Sequence, residues 1–196
     1  MASSPEGRGA GAVTGSVDAE RIVLVDDSNT VTGTMLKADA HGSRTPLHRG
    51  FSVFVYRAAD RQLLIQQRSI KKQTWPLMWA NSCCGHQALN ESNLDAARRR
   101  LKYELDLEPV WLEEVASFRY CVTREGIMEN EVCAILVGLV EAEPKLNTDE
   151  VRAVRWVSWQ TFLEDIKRAP DQYAEWSVEE ARILTSSEPF RKLLSL

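Results

Sequence analysis

No stretch of this sequence approaches the roughly 18 apolar residues that a membrane-spanning helix requires. Its longest apolar runs are "FSVFVY" and "VCAILVGLV", so no membrane association is expected. The opening "MASSPEGRGAGAVTGSVD" is small, polar and glycine-rich and lacks the apolar core of a secretory signal. Residues 1–19 therefore read as a disordered tail. Cysteine is scarce: Cys83, Cys84, Cys121 and Cys133 stand alone, with no Cys-x-x-Cys pair. Without an export signal these thiols are expected to stay reduced in the cytoplasm. Strong charge of one sign is missing too. A net charge of −4 argues against a protein that grips long nucleic acids or anionic membranes, but leaves room for a local basic pocket that takes a small anion. No internal repeat or linker divides residues 20–196, which are long enough for one well-buried core. A monomer with a single domain is expected.

What is present alternates between two periods. "RIVLVDD" and "TVTGTML" flank a polar turn as a strand pair, and "LHRGFSVFVYR" and "RQLLIQQRS" read as a second hairpin. After the tryptophan-rich "TWPLMW" and the stretch "ANSCCGHQALNES", residues 92–105 read as the clearest helix. Ser92 with Asp95 fits a capping box, and Leu94, Ala97, Leu101 and Leu105 recur at helical spacing. "VASFRYCVT", "ENEVCAILVGLVEA" and "VRAVRWVSW" read as strands, and "QTFLEDIKRA", "WSVEEARILT" and "PFRKLLSL" as closing helices. The fold class is mixed α/β: a sheet, one central helix and a helical tail.

Histidine is the rarest informative residue. His41 and His48 flank the turn "GSRTP", and His86 lies two residues beyond Cys84. In "MENEVCAIL" the side chains of Glu129 and Glu131 share one strand face, which Cys133, Ile135 and Val137 continue into an apolar run. Two readings fit. A divalent cation held by imidazoles and carboxylates would offset the cost of acids at the mouth of a buried face. Alternatively, the strand end is simply solvated. Arg100 and Glu104 share a helix face, either as a surface ion pair or with Glu104 as a magnesium ligand. Lys37, Arg68, Lys71, Lys72 and Arg100 come from separate segments that could surround one anion, or could each be solvated. Trp75, Trp79 and Trp176 suit core or lid packing, and an aromatic face can also stabilise a cation.

In order along the chain stand "PLHRGFSVFVY", "LLIQQRS", "TWPLMWANSCCGH", "AARRRLKYEL", "SFRY", "ENEVC" and "RWVSW". Together they resemble the type I isopentenyl-diphosphate isomerases, metal-dependent members of the Nudix superfamily, from about residue 21 to about residue 180. The resemblance implies a Nudix-type mixed sheet sandwiched by helices. It implies that His41, His48, His86, Glu129 and Glu131 form a site for manganese, magnesium or zinc, without flavin. Glu104 would help hold a magnesium ion arriving with the substrate, and Lys37, Arg68, Lys72 and Arg100 would bind its diphosphate. Cys84 and Glu131 would transfer protons, with Tyr120 near Glu131, and Trp176 would cover the hydrocarbon end. The implied reaction interconverts isopentenyl and dimethylallyl diphosphate.

The chain also departs from the patterns. The superfamily's hydrolase box reads Arg-Glu-U-x-Glu-Glu, where U is a bulky aliphatic residue. Here Arg99-Arg100-Leu101-Lys102-Tyr103-Glu104 keeps one of its three acids, which speaks against pyrophosphate hydrolysis, the competing activity. Gln87, Asn90, Asp106 and Glu175 replace residues usual in the isomerases, all in loops or at element ends.

Overall fold

The computed structural model describes residues 20–194, so the reading of residues 1–19 as a tail lies outside the described residues. One mixed sheet holds β1 (Arg21–Val25), β2 (Val31–Leu36), β3 (His48–Arg57), β4 (Leu63–Arg68) and β5 (Trp79–Ala80). It is completed by β6 (Cys83–Gly85), β7 (Trp111–Arg124), β8 (Ile127–Val140) and β9 (Val151–Val157). Strand β3 is its hub. It pairs in parallel with β8 from His48↔Glu131 to Arg57↔Val140, and antiparallel with β6. A strand covered on both faces reads as a continuous apolar run, which is why "FSVFVY" does not alternate. The second expected hairpin is real only at its turn. Strands β3 and β4 pair at Tyr56↔Leu63, after which β4 takes β9 and β5 as partners.

Helix α1 (Lys37–Ala40) is short and α2 (Asn93–Leu105) is the central helix; α3 (Trp159–Arg168), α4 (Glu175–Ser186) and α5 (Glu188–Leu194) follow β9. Alternation along β3 divides the core into two layers. Phe51, Val53 and Val55 pack with Ala97, Leu101 and Leu105 of α2. Phe54 and Tyr56 face the other way, with Ile135 and Val137 of β8, and meet Phe162, Leu184 and Phe190 of the last three helices. The sheet is thus sandwiched by helices, as expected.

The α2 stripe differs in detail, because Leu94 sits in the first turn and is 38% exposed while Ala96 is buried. The cap is half of a box. Ser92 Oγ accepts from the Asp95 amide at 3.1 Å, but the Asp95 carboxylate turns to the serine hydroxyl. Asp106 closes the helix in the left-handed region (φ 53°), the position where glycine is usual, and an acidic side chain tolerates it at modest cost. The long β7–β8 hairpin turns through Glu125 (φ 50°) and Gly126 (φ 82°), the two positive values of a tight hairpin turn. Among the described residues no helix is long and apolar enough to cross a membrane.

Candidate active site

The site is assembled by strand alternation. His48 of β3 and Glu131 of β8 are register partners and share a face; Glu129 lies two residues before Glu131 on the same side. Across the antiparallel β3–β6 ladder Ser52 opposes Cys84 and Val53 opposes Cys83. Cys84, and His86 two residues on, therefore join the His48 face. Cys83 points into the core beneath α2, where it is fully buried. His41 arrives just after α1. The short helix and strands β5 and β6 had no recognisable sequence signal.

The three imidazoles meet edge to face or tilted, with ring centroids 5.0 to 5.7 Å apart. His41 Nε2 is 3.0 Å from Glu129 Oε2, and Glu131 Oε1 lies 3.0 Å from His86 Nε2 and 3.4 Å from His48 Nε2. Both glutamates are nearly buried, at 6% and 7% exposure, so the solvated strand end is excluded. Gly50 lies between His48 and Ser52, and the Glu131 side chain occupies the room that a Cβ there would fill. Burial alone would raise the Glu131 carboxyl, but hydrogen bonds from His48 and His86 hold it far below the usual range. Burial pushes the His86 imidazole down to about 4. At His48 burial also works downward, and is outweighed by the hydrogen bond and charge of Glu131, so its pKa is raised.

These donors suit a divalent cation. His41, His48 and His86 form one group of candidate ligand atoms within 4.8 Å of one another, and His48, Glu129 and Glu131 form another. His48 Nδ1 sits 2.9 Å from the Pro46 carbonyl and His41 Nδ1 3.2 Å from that of Lys37. Nδ1–H donation to those carbonyls turns both Nε2 atoms inward; His41 Nε2 then presents a lone pair, and His48 Nε2 would do so once a cation displaces the proton it shares with Glu131. Moreover, His41 Nε2 and Glu129 Oε2, although 3.0 Å apart, are buried without an aligned hydrogen bond to each other or to another group, which is costly unless a cation meets them.

A cavity of about 360 Å³ opens beside this group, lined among others by Cys84, Ser52, Tyr120, Glu131 and Trp176. Tyr120 is the cross-strand partner of Glu131 on β7. Burial, then the charges of Glu131 and Glu129, push its hydroxyl well above its ordinary range. Trp176 packs on Trp75 with ring centroids 5.3 Å apart, and on Tyr120 at 6.3 Å, so one end of the cavity has aromatic walls. Glu175, where the isomerases usually carry proline, ties this wall together. Its carboxylate accepts from Trp75 Nε1 at 2.5 Å and from Arg124 Nη1 at 2.9 Å.

Burial, then the nearby Glu180 carboxyl, push the Cys84 thiol up to about 12. At pH 8 its thiolate fraction is about a thousandfold below that of a thiol at the ordinary value of 9.0. Alkylation of Cys84 by iodoacetamide in metal-free protein should therefore be slow and keep rising through pH 10. A plateau below pH 9, read by peptide mass spectrometry, would contradict this environment.

The rest of the cavity carries the cations, each already engaged, and Arg68 also reaches the aromatic wall, its guanidinium carbon 5.4 Å from the Trp176 ring centroid. Lys37 Nζ donates to Glu20 at 2.8 Å, and Lys72 pairs with Glu150. Arg100 pairs with Glu104 and reaches Glu150 at 3.1 Å. Arg68 lines the cavity but braces the following loop, donating to the Thr74 carbonyl at 2.8 Å and the Trp75 carbonyl at 3.1 Å. That loop holds Trp75 (φ 46°) and Leu77 (φ 64°) in the left-handed region. Lys71, solvated at 63% side-chain exposure, pairs with Asp149. Glu104 is buried between Arg100 and Gln66 and belongs to neither metal-ligand group; Arg100 lines a neighbouring cavity that shares Glu20, His86 and Glu150 with the first.

Sequence reasoning missed Glu20, Glu150 and Asn81. The two acids sit in polar segments that look solvated. Asn81 is fully buried and central: Oδ1 accepts from the Cys84 thiol at 3.0 Å and from Trp176 Nε1 at 3.3 Å. Its Nδ2 donates to the carbonyls of Val53 and Cys83. Asn81→Ala should cost about 3 kcal/mol of stability, since it leaves buried partners unpaired, and should lower turnover as well. Chemical denaturation checks the first effect, and a loss under 1 kcal/mol would show that water replaces the amide.

A NUDIX domain model matches residues 46–177. The chain is 37% identical over 165 residues to the isopentenyl-diphosphate Delta-isomerase of Enterobacter sp. (strain 638), covering 83% of this chain and 89% of that one. It is also 37% identical over 181 residues to the enzyme of that name from an Escherichia coli strain, covering 91% of this chain and 97% of the relative. Among solved structures, DR0079 from Deinococcus radiodurans superposes with a TM-score of 0.65 at 23% identity, over 83% of this chain and 98% of that one. The MutT protein of Methanosarcina mazei Go1 gives 0.58 at 16% identity, over 72% and 97%; both show likeness of fold. With a matching domain model over two thirds of its length and relatives this similar end to end, the chain belongs to the NUDIX domain proteins and, within them, to the isopentenyl-diphosphate Delta-isomerases.

Proposed function

We propose that this protein interconverts isopentenyl and dimethylallyl diphosphate, with Cys84 and Glu131 as the two proton-transfer groups. The single observation that carries the reading is that a thiol and a buried carboxylate line one cavity with an aromatic end and a cationic end. The reaction adds a proton at the terminal alkene carbon and removes one from the carbon nearer the diphosphate. An alkene is a poor base, so charge develops at the tertiary carbon between them. One group of the Cys84–Glu131 pair gives a proton while the other takes one, and the reverse direction exchanges their roles. Tyr120, a neutral phenol and the cross-strand partner of Glu131, would hydrogen-bond that carboxyl. Trp176 covers the hydrocarbon, excludes the water that would capture the cation, and offers its π face to the charge.

Lys37, Arg68, Lys72 and Arg100 bind the diphosphate and supply the binding energy that orients the reacting carbons. In taking it, Lys37 exchanges Glu20, and Lys72 and Arg100 exchange Glu150, for phosphate oxygens. His41, His48, His86, Glu129 and Glu131 would hold a manganese, magnesium or zinc ion, which supplies a fixed positive charge that organises Glu131. Glu104 would meet a magnesium ion carried by the diphosphate once Arg100 turns to the substrate. The protein needs no flavin and works as a cytoplasmic monomer.

The test is product analysis with isopentenyl diphosphate and magnesium in deuterated water. Dimethylallyl diphosphate carrying deuterium is expected, without added flavin or nicotinamide. Release of phosphate or pyrophosphate instead would make the protein a hydrolase.

A further inference from the structure

A second cavity, of about 350 Å³, lies behind the aromatic wall of the first. Val122 and Arg124 of β7, Tyr173, and Glu175 and Val178 of α4 line it. Tyr120 and Trp176 line both cavities, so a partition one side chain thick separates them. The outer cavity reaches the surface, where Asp171, Glu179 and Arg182 at its rim are exposed. A strap of three groups from three segments backs the partition. Glu175 opens α4, a position where the helix dipole favours an acid. Its Oε2 accepts from Trp75 Nε1 at 2.5 Å and its Oε1 from Arg124 Nη1 at 2.9 Å. Arg124 Nη2 also donates to the Asp171 carbonyl at 3.2 Å. Trp75, buried, meets Trp176 nearly edge to face at an interplanar angle of 68°.

We propose that Glu175 is a specificity-determining residue. By clamping Trp75 and Arg124 it holds the Tyr120–Trp176 partition closed and limits the hydrocarbon to the length of an isopentenyl group. The strap is not needed to dock the helix. The start of α4 is anchored separately, by the Ala174 amide donating to the Trp79 carbonyl at 2.8 Å and the Asn81 amide donating to Ser177 Oγ at 3.0 Å. Nor does the ion pair add much stability, since the Arg124 and Glu175 side chains are 30% and 38% exposed. What the strap fixes is orientation. Without it the Trp75 indole loses its only anchored edge, Trp176 loses its backing, and a longer branch on the substrate can press through into the outer cavity.

The inference rests on the isomerase reading of the first cavity. Its test assays wild type, Glu175→Ala, Arg124→Met and the double variant for kcat, KM and melting temperature. Two substrates are compared: isopentenyl diphosphate, and the homologue in which its methyl branch is an ethyl group. Wild type is expected to prefer the natural length at least about tenfold in kcat/KM, the scale on which a closed apolar wall rejects one methylene. Glu175→Ala should shrink that preference about tenfold, with KM for isopentenyl diphosphate within about twofold and the melting temperature close to wild type. Arg124→Met should shrink it in part, and adding it to Glu175→Ala should change nothing more, because both act through one strap. A folded Glu175→Ala enzyme that discriminates as wild type does would overturn the proposal, as would equal losses on both substrates, the mark of a merely structural role. So would a wild type that takes the two equally well. Should Glu175→Ala fold poorly, Arg124→Met decides, and an unchanged preference there removes the strap from specificity. A wild-type protein that isomerises neither compound refutes the isomerase reading and this inference with it. An active one whose strap variants keep the full preference refutes this inference alone.

Discussion

Cys84→Ala is expected to lower kcat about a thousandfold or more while leaving the fold intact, within the range that one positioned acid–base group contributes. The substitution removes only a sulfur at a cavity wall. The hydrogen bonds it loses are those to Asn81 Oδ1 and Ser52 Oγ, and both groups keep neighbours. Melting temperature and far-UV circular dichroism should therefore stay close to wild type, and KM should change little, since the diphosphate cations are untouched. Cys83→Ala gives the matching contrast. That sulfur lies in the core under α2, so its loss should cost stability by leaving a small cavity, about 1–2 kcal/mol, and spare turnover. A Cys84→Ala enzyme with near-normal kcat would remove residue 84 from the proton-transfer pair.

His48→Ala should abolish tight binding of a divalent metal and, with it, detectable turnover. His48 is fully buried and is the one histidine common to both groups of candidate ligand atoms. Wild-type protein is expected to hold close to one metal ion per chain and to gain about 2.7 kcal/mol of stability when free metal exceeds the dissociation constant a hundredfold. The variant should lose that gain, seen as a melting temperature that no longer responds to metal. A chelator should bring wild-type enzyme to the same inactive state, with activity returning on metal addition. Metal content by elemental analysis separates the outcomes: an unchanged ratio in His48→Ala would exclude this residue as a ligand.

Much of the fold was legible because its long elements obey simple periods. The helix from Ser92 to Asp106 has a clear cap and stripe, and β7 and β8 read as strands, though not as one hairpin. The pairing of Glu129 with Glu131 follows from alternation. What that rule could not supply was convergence. His48 meets Glu131 only because β3 and β8 run parallel in one register, a long-range pairing with no local signature. Strand β6 is three residues long, too short for any pattern, yet it decides which cysteine faces the cavity. Asn81 was invisible for a related reason. An asparagine in a loop looks like turn chemistry, and only its burial reveals four hydrogen bonds. Arg100 and Glu104 were legible as a pair but not as a buried one, since helical spacing gives the face and not the depth.

The carboxylates of Glu20 and Glu150 give the cationic end a resident counter-anion. A lysine or arginine cluster left bare would repel itself and splay; here the head groups of Lys37, Lys72 and Arg100 are kept oriented before any ligand arrives. On the proposed reading, capture of a diphosphate would be a swap of one oxyanion for another, not the quenching of naked charge. The same swap would run backwards when the product leaves, giving the protein its own eluent for a tightly charged molecule between turnovers.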